Sequence, residues 1–154
     1  MSTAYSTAVF ANKVPAGTGH GFYTLSAHLH ATSGTISTWV AGDTINIGFL
    51  PANAVVVSAT LKAASQLDSN GAPTLTLSLG VVGTPGLFKS AITTVGRAAG
   101  ASADLTLAAA GALFKPASKT QVVVTVGTGA ATPVAGTLEV DIEFYVEDPV
   151  GSNP

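Results

Sequence analysis

The sequence predicts an all-β fold, a two-sheet antiparallel β-sandwich of jelly-roll or Greek-key type, and three observations carry that prediction. Eight or nine short stretches alternate apolar and polar residues with a period of two, which places successive side chains on opposite faces of a strand. Clusters of Pro, Gly, Asn and Asp separate them as turns. No segment offers a dependable helix, so two stacked sheets are the way left to bury the apolar faces. At 154 residues the chain makes one domain and can bury about two-thirds of its unfolded surface, enough for a core without covalent staples.

In chain order, residues 1–20 read as an N-terminal arm. Its large side chains, Tyr5, Phe10 and Val14, are spaced among small polar residues, and it ends in the breaker cluster Pro15 to Gly19. So few large side chains cannot order a segment alone; it orders on a partner surface, or as an edge strand on its own domain. The sandwich domain follows over residues 21–148. Its first strand, 22–30, puts Tyr23, Leu25, Ala27 and Leu29 on one face and His28 and His30 on the other. Ile36 to Val40 is a short strand holding the only tryptophan, Trp39, a core residue whose indole N–H needs a partner at the edge.

Residues 42–79 read as a β-meander of three strands. Ile45, Ile47 and Phe49 share the first apolar face. After the turn at Pro51 to Asn53, Val55, Val57, Ala59 and Leu61 share the second. Asp68-Ser69-Asn70-Gly71 then reads as a hairpin turn before Leu75, Leu77 and Leu79. Residues 87–95 give a further strand with Phe88, Ser90 and Ile92 on one side, and 97–102 a flexible loop. The segment Asp104 to Phe114 sets helix-favouring Ala and Leu against a Leu105/Leu107 alternation and Gly111; it is assigned as strand followed by loop. Val122, Val124 and Val126 line the next strand. In the last, Leu138, Val140, Ile142, Phe144 and Val146 face one way, and Glu139, Asp141, Glu143 and Glu147 the other. Residues 149–154 form a flexible tail.

Composition excludes several functions. Cysteine is absent, which removes disulfides, thiolate metal sites and a cysteine nucleophile. The net charge of -2 and the lack of a basic stripe argue against nucleic acid as a partner. No apolar run approaches the roughly 20 residues of a membrane span, and the first residues lack the pattern of a secretion signal, so no membrane association is expected and synthesis is placed in the cytoplasm. Charged residues make up only 9% of the chain, which suits a surface partly covered by neighbours in an assembly.

Chemistry-bearing residues are sparse. His28 and His30 lie about 7 Å apart on one strand face, with His20 as a third candidate. No carboxylate accompanies them in sequence, and they are read as solvent-facing, with no metal site assigned. Half of the eight acidic residues fall on the polar face of the last strand, where alternation with a core face explains them without glycosidase chemistry. Asp68 to Gly71 lacks the further ligands of a calcium loop. No phosphate loop, nucleophile elbow or zinc-protease pair occurs. The chain is therefore expected to be no enzyme and to need no cofactor.

The runs GDTINIGFLPANAVVVSATLKA, LDSNGAPTLTLSLGV and SKTQVVVTVGTGAATPVAGTLEVDIEFYVED, over residues 42–148, resemble the decoration or cement proteins of tailed-bacteriophage capsids. The resemblance implies a β-sandwich on the outer capsid surface of the virion, often a homotrimer, bound to the major capsid protein and without catalysis. On that reading Tyr5, Phe10 and Val14 are the expected capsid contacts. The same architecture also serves carbohydrate-binding tail-fibre or adhesin modules and small hydrolases.

Overall fold

The computed structural model describes residues 26–105, 108–112 and 114–146. Within them, eight strands and one helical turn follow in order: β1 (Ser26–Thr32), β2 (Thr44–Leu50), β3 (Ala54–Ala63), β4 (Thr76–Val81), β5 (Thr84–Ile92), β6 (Ser102–Leu105), α1 (Ala109–Ala112), β7 (Thr120–Thr128) and β8 (Leu138–Val146). They form two four-stranded sheets, ordered β1-β8-β3-β6 and β2-β7-β4-β5. Every pairing is antiparallel. The predicted antiparallel β-sandwich is what the chain forms. The arm, its residues Tyr5, Phe10 and Val14, the third histidine His20, and the tail lie outside the described residues.

The core lies between the sheets, where the facing rows of β3, β4, β7 and β8 meet. Leu61, Leu77, Leu79, Val122, Val124, Leu138, Val140 and Ile142 are all fully buried. These rows follow the period-2 pattern directly, and β8, the most regular alternation in the sequence, runs through the middle of its sheet between β1 and β3. Trp39 is buried, as expected of it, and its Nε1–H donates to the carbonyl of Val134 at 2.9 Å.

The meander does not exist. β2, β3 and β4 alternate between the two sheets, and none pairs with another of the three; β4–β5 is the one sequential pair sharing a sheet. Alternation tells a strand which face to bury but is silent about its neighbour. The three residues at Pro51 to Asn53 turn a corner between sheets, with Asn53 at φ 60° and its N–H on the carbonyl of Pro116. Residues 68–71 likewise belong to a crossover from β3 to β4 rather than a hairpin.

Two bulges reset the expected faces. Register slips between Asn46 and Gly48 in β2, so Ile47 is the extra residue. Ile45, Ile47 and Leu50 are buried as a result, while Phe49 turns outward, half exposed, under the Lys119 ammonium 4.5 Å from its ring centre. In β3 the slip between Val56 and Ser58 leaves Val57 unpaired. Val56 therefore points into the core and Val57 outward, the reverse of the expected faces, while Ala59 and Leu61 beyond the bulge are buried as expected.

Three smaller expectations also change. Ile36 makes only a single bridge, to Gly136, and residues 37–40 are not strand. In β5, Phe88 and Ile92 are buried but Ser90 is exposed, because register slips along the β4–β5 pair and Ala91 takes φ 52°. The segment 104–114 splits, its first residues ending β6 and its alanines forming α1. Gly111 permits this: a Cβ there would lie 2.5 Å from the Leu87 carbonyl oxygen, so only glycine lets the turn rest on β5. Phe114 then meets Phe88 edge to face, centroids 6.1 Å apart.

Candidate interaction surfaces

The outer face of the β1-β8-β3 sheet gathers most of the chemistry-bearing side chains. The β1–β8 register sets His28 opposite Glu143 and His30 opposite Asp141. The carboxylates missing from the sequence neighbourhood of the histidines thus arrive from a strand more than a hundred residues away. Asp141 sits between both imidazoles: Nδ1 of His28 donates to Oδ1 at 3.0 Å, and Nδ1 of His30 to Oδ2 at 3.3 Å. Nε2 of His30 lies 3.7 Å from Glu139, whose other oxygen is 3.8 Å from Nζ of Lys62. The Ser58 hydroxyl donates to Glu143. The hydrogen bond to Asp141 raises the pKa of His28 against a small opposing effect of burial, with the charges of Asp141 and Glu143 adding to the rise. Among the described residues no group of three or more His, Asp or Glu is arranged to hold a metal ion.

Asp68, read from sequence as a turn residue, is fully buried. Its Oδ2 accepts the N–H groups of Thr74 (2.8 Å), Leu75 (3.1 Å) and Ala131 (3.1 Å). Its Oδ1 accepts those of Thr132 (3.0 Å) and Asn70 (3.3 Å). Burial pushes this carboxyl up, but the bonds from Thr132, Ala131, Thr74 and Leu75 together outweigh it and hold the group far below the usual carboxylate range. Arg97 donates to the carbonyls of the same two residues, Leu75 and Thr74. The "flexible" loop starting at Arg97 is therefore pinned. Five N–H groups aimed at the carboxylate leave no lone-pair direction for a cation, so Asp68 is a knot between the 64–75 and 127–136 loops. Two of its five donors, Ala131 and Thr132, stand some sixty residues downstream, where no local spacing could reveal them.

The opposite end of the sandwich carries exposed apolar side chains, with Lys119 over one of them. Phe49, Val82 and Val146 are each about half open to solvent. Ser26 pairs with Tyr145, so residues 1–25 and 147–154 both join the sandwich at this end. A separate open groove of about 430 Å³, lined by Thr35 to Thr38 and Asp43 to Ile45, is polar and contains no aromatic side chain.

The chain matches two solved structures along nearly its whole length. One is a chain of the cyanophage Pam1 capsid asymmetric unit, 28% identical, with a TM-score of 0.70 over 90% of this chain and 97% of that one. The other is a chain of the capsid of Ralstonia phage GP4, 32% identical, with a TM-score of 0.63 over 89% of this chain and 92% of that one. The chain belongs to a family of phage capsid-related proteins. No protein-family model and no curated protein matches it. For this capsid-related protein the two matches support a virion structural role. The scarcity of surface charge in the sequence fits a subunit surrounded by neighbours.

Proposed function

We propose that the protein is a head decoration, or cement, protein: a non-enzymatic subunit that binds the outer surface of the capsid and stabilises the shell. The observation that carries this reading is the near-complete mutual coverage with the two capsid chains. Mutual coverage this extensive supports reading the chain as an accessory subunit of the head. The strand order β1-β8-β3-β6 over β2-β7-β4-β5 is that of an eight-stranded jelly roll, an architecture found in viral capsids and lectins. Attachment runs through the apolar end. There Phe49, Val82 and Val146 are exposed, and Tyr5, Phe10 and Val14 of the arm are the further capsid contacts of this reading. A homotrimer bound to several major capsid protein subunits gains from each contact the proximity of the next, which is how weak contacts make a firm clamp.

The rival reading, a carbohydrate-binding tail-fibre or adhesin module, draws on the polar groove at Thr35 to Ile45. That groove lacks the aromatic platform on which sugars stack.

Co-sedimentation with assembled capsids lacking the protein, together with its mass by light scattering, tests both. Saturable binding by a trimer is expected, and deletion of residues 1–14 should weaken binding while leaving the circular dichroism spectrum intact. A monomer that ignores capsids and binds free sugar overturns the proposal in favour of the adhesin. Undiminished binding by the deletion removes the arm from the mechanism.

A further inference from the structure

We infer that His28 and Asp141 form a proton-gated staple that fastens strand β1 to β8, with His30 on the second oxygen of the same carboxylate, tightening when the His28 imidazole is protonated and slackening when it is neutral. β1 needs such a device because among the described residues it has a partner strand on one side only. Its backbone ladder with β8 is therefore the part of the sheet most readily peeled from solvent. It is also the strand through which residues 1–25 enter the sandwich, so the staple sets how firmly that junction is held.

The geometry makes the proton decisive. With a neutral imidazole, the 3.0 Å contact from His28 to Asp141 is an ordinary hydrogen bond between exposed groups. A proton on the ring turns it into a charge-assisted bond, about twice as strong as its neutral counterpart. His30 faces the second oxygen of the same carboxylate, so Asp141 draws two successive outward residues of β1 toward β8. The surrounding charges favour the protonated form. From β8, Glu139 and Glu143 flank Asp141; from β3, Lys62 alone is cationic and is engaged by Glu139, while Ser58 and Thr60 are neutral. Asp104 of β6 stands opposite Thr60, a further strand away. Among the described residues, the carboxylates of Glu139, Asp141 and Glu143 stand around the pair against the single ammonium of Lys62. The upward shift of His28 fixes the sign of the linkage. The added stability is fully present below the unfolded value near 6.5 and is lost as pH rises through the higher folded value.

Amide hydrogen exchange of the full chain tests this, with rates at pH 8.5 and pH 6.0 corrected for the intrinsic pH dependence of exchange. Protection of the β1 amides should rise at the lower pH by about two- to fivefold, the range an exposed ion pair provides, while β4 and β7 show no such gain. His28→Gln, which can hydrogen-bond but does not titrate, should erase the β1 gain without lowering protection elsewhere. In an NMR titration, Asp141→Asn should lower the midpoint of His28. A β1 gain no larger than that of β4, a gain that persists in His28→Gln, or a His28 midpoint that ignores Asp141→Asn would each overturn the staple.

Discussion

Asp68 and Asp141 are the same side chain in two opposite settings. Asp68 is sealed in the loops at one end of the sandwich and meets only backbone N–H groups. Asp141 lies at the surface of the middle strand of a sheet and meets side chains that themselves carry or lose charge. The first is buried charge made tolerable by a complete set of donors, the second a surface charge whose partners titrate. What a carboxylate does in this molecule is decided by the mobility of its partners' protons: peptide N–H groups hold theirs at every working pH, imidazoles do not.

The largest expected effect comes from removing the buried member. Asp68→Ala leaves five donors without an acceptor. At about 1–3 kcal/mol for each donor that stays dry, and with water reaching some of them, urea denaturation should show a loss on the order of 3–5 kcal/mol. A loss under about 1 kcal/mol would mean the loops close without the knot.

Next in size is the pH dependence, where Asp68 and the His28 partner of Asp141 act with opposite sign. The folded-state pKa of Asp68 is depressed. Its stabilisation is therefore complete above the ordinary aspartate value of about 3.9 and drains away as pH falls toward the folded value. Denaturation midpoints should fall steeply below about pH 4 in the wild type and less steeply in Asp68→Asn, which has no charge to lose. A parallel fall in both would assign acid sensitivity elsewhere.

A buried polar atom in the converse situation gives a smaller change. Thr125 Oγ1 is buried with no partner among the described residues. Thr125→Val should therefore be neutral or raise stability by up to about 1 kcal/mol, since it exchanges an unsatisfied hydroxyl for a methyl group. A clear loss would show that the hydroxyl has a water partner.

Smallest of all, Asp141→Asn should cost less than about 1 kcal/mol, because both groups of the His28 pair are half exposed and solvent screens them. Its signature is in the pH dependence: the difference from wild type should shrink as pH rises above neutrality. A difference that is constant with pH would make Asp141 a plain hydrogen-bond acceptor.

The legibility of the fold varied with how local its causes are. β8 could be read residue by residue, since five apolar positions alternate with charged ones and no bulge intervenes. β2 and β3 were recognisable as strands, yet Phe49 and Val57 were assigned to the wrong face, because an extra residue in one strand is defined only against the partner it slips on. Trp39 was legible as core because a large apolar ring has few other places to go. The His28–Asp141–His30 cluster was half legible: both histidines and the acidic strand stood out, but not that they are neighbours. Of the Asp68 knot only the local turn was legible; its distant donors at Ala131 and Thr132 were not, for they are peptide groups and every residue has one.

The sequence alone therefore determined the class of fold and, wherever pairing is regular, the face each strand buries. Those follow from side-chain alternation, a property of consecutive residues. Only the tertiary structure decided which strand lies beside which, where a bulge reverses a face, and which distant groups meet a given carboxylate. Those depend on contacts between residues tens to more than a hundred positions apart, which the local chain constrains only through the requirement that every apolar face be covered and every buried polar group find a partner.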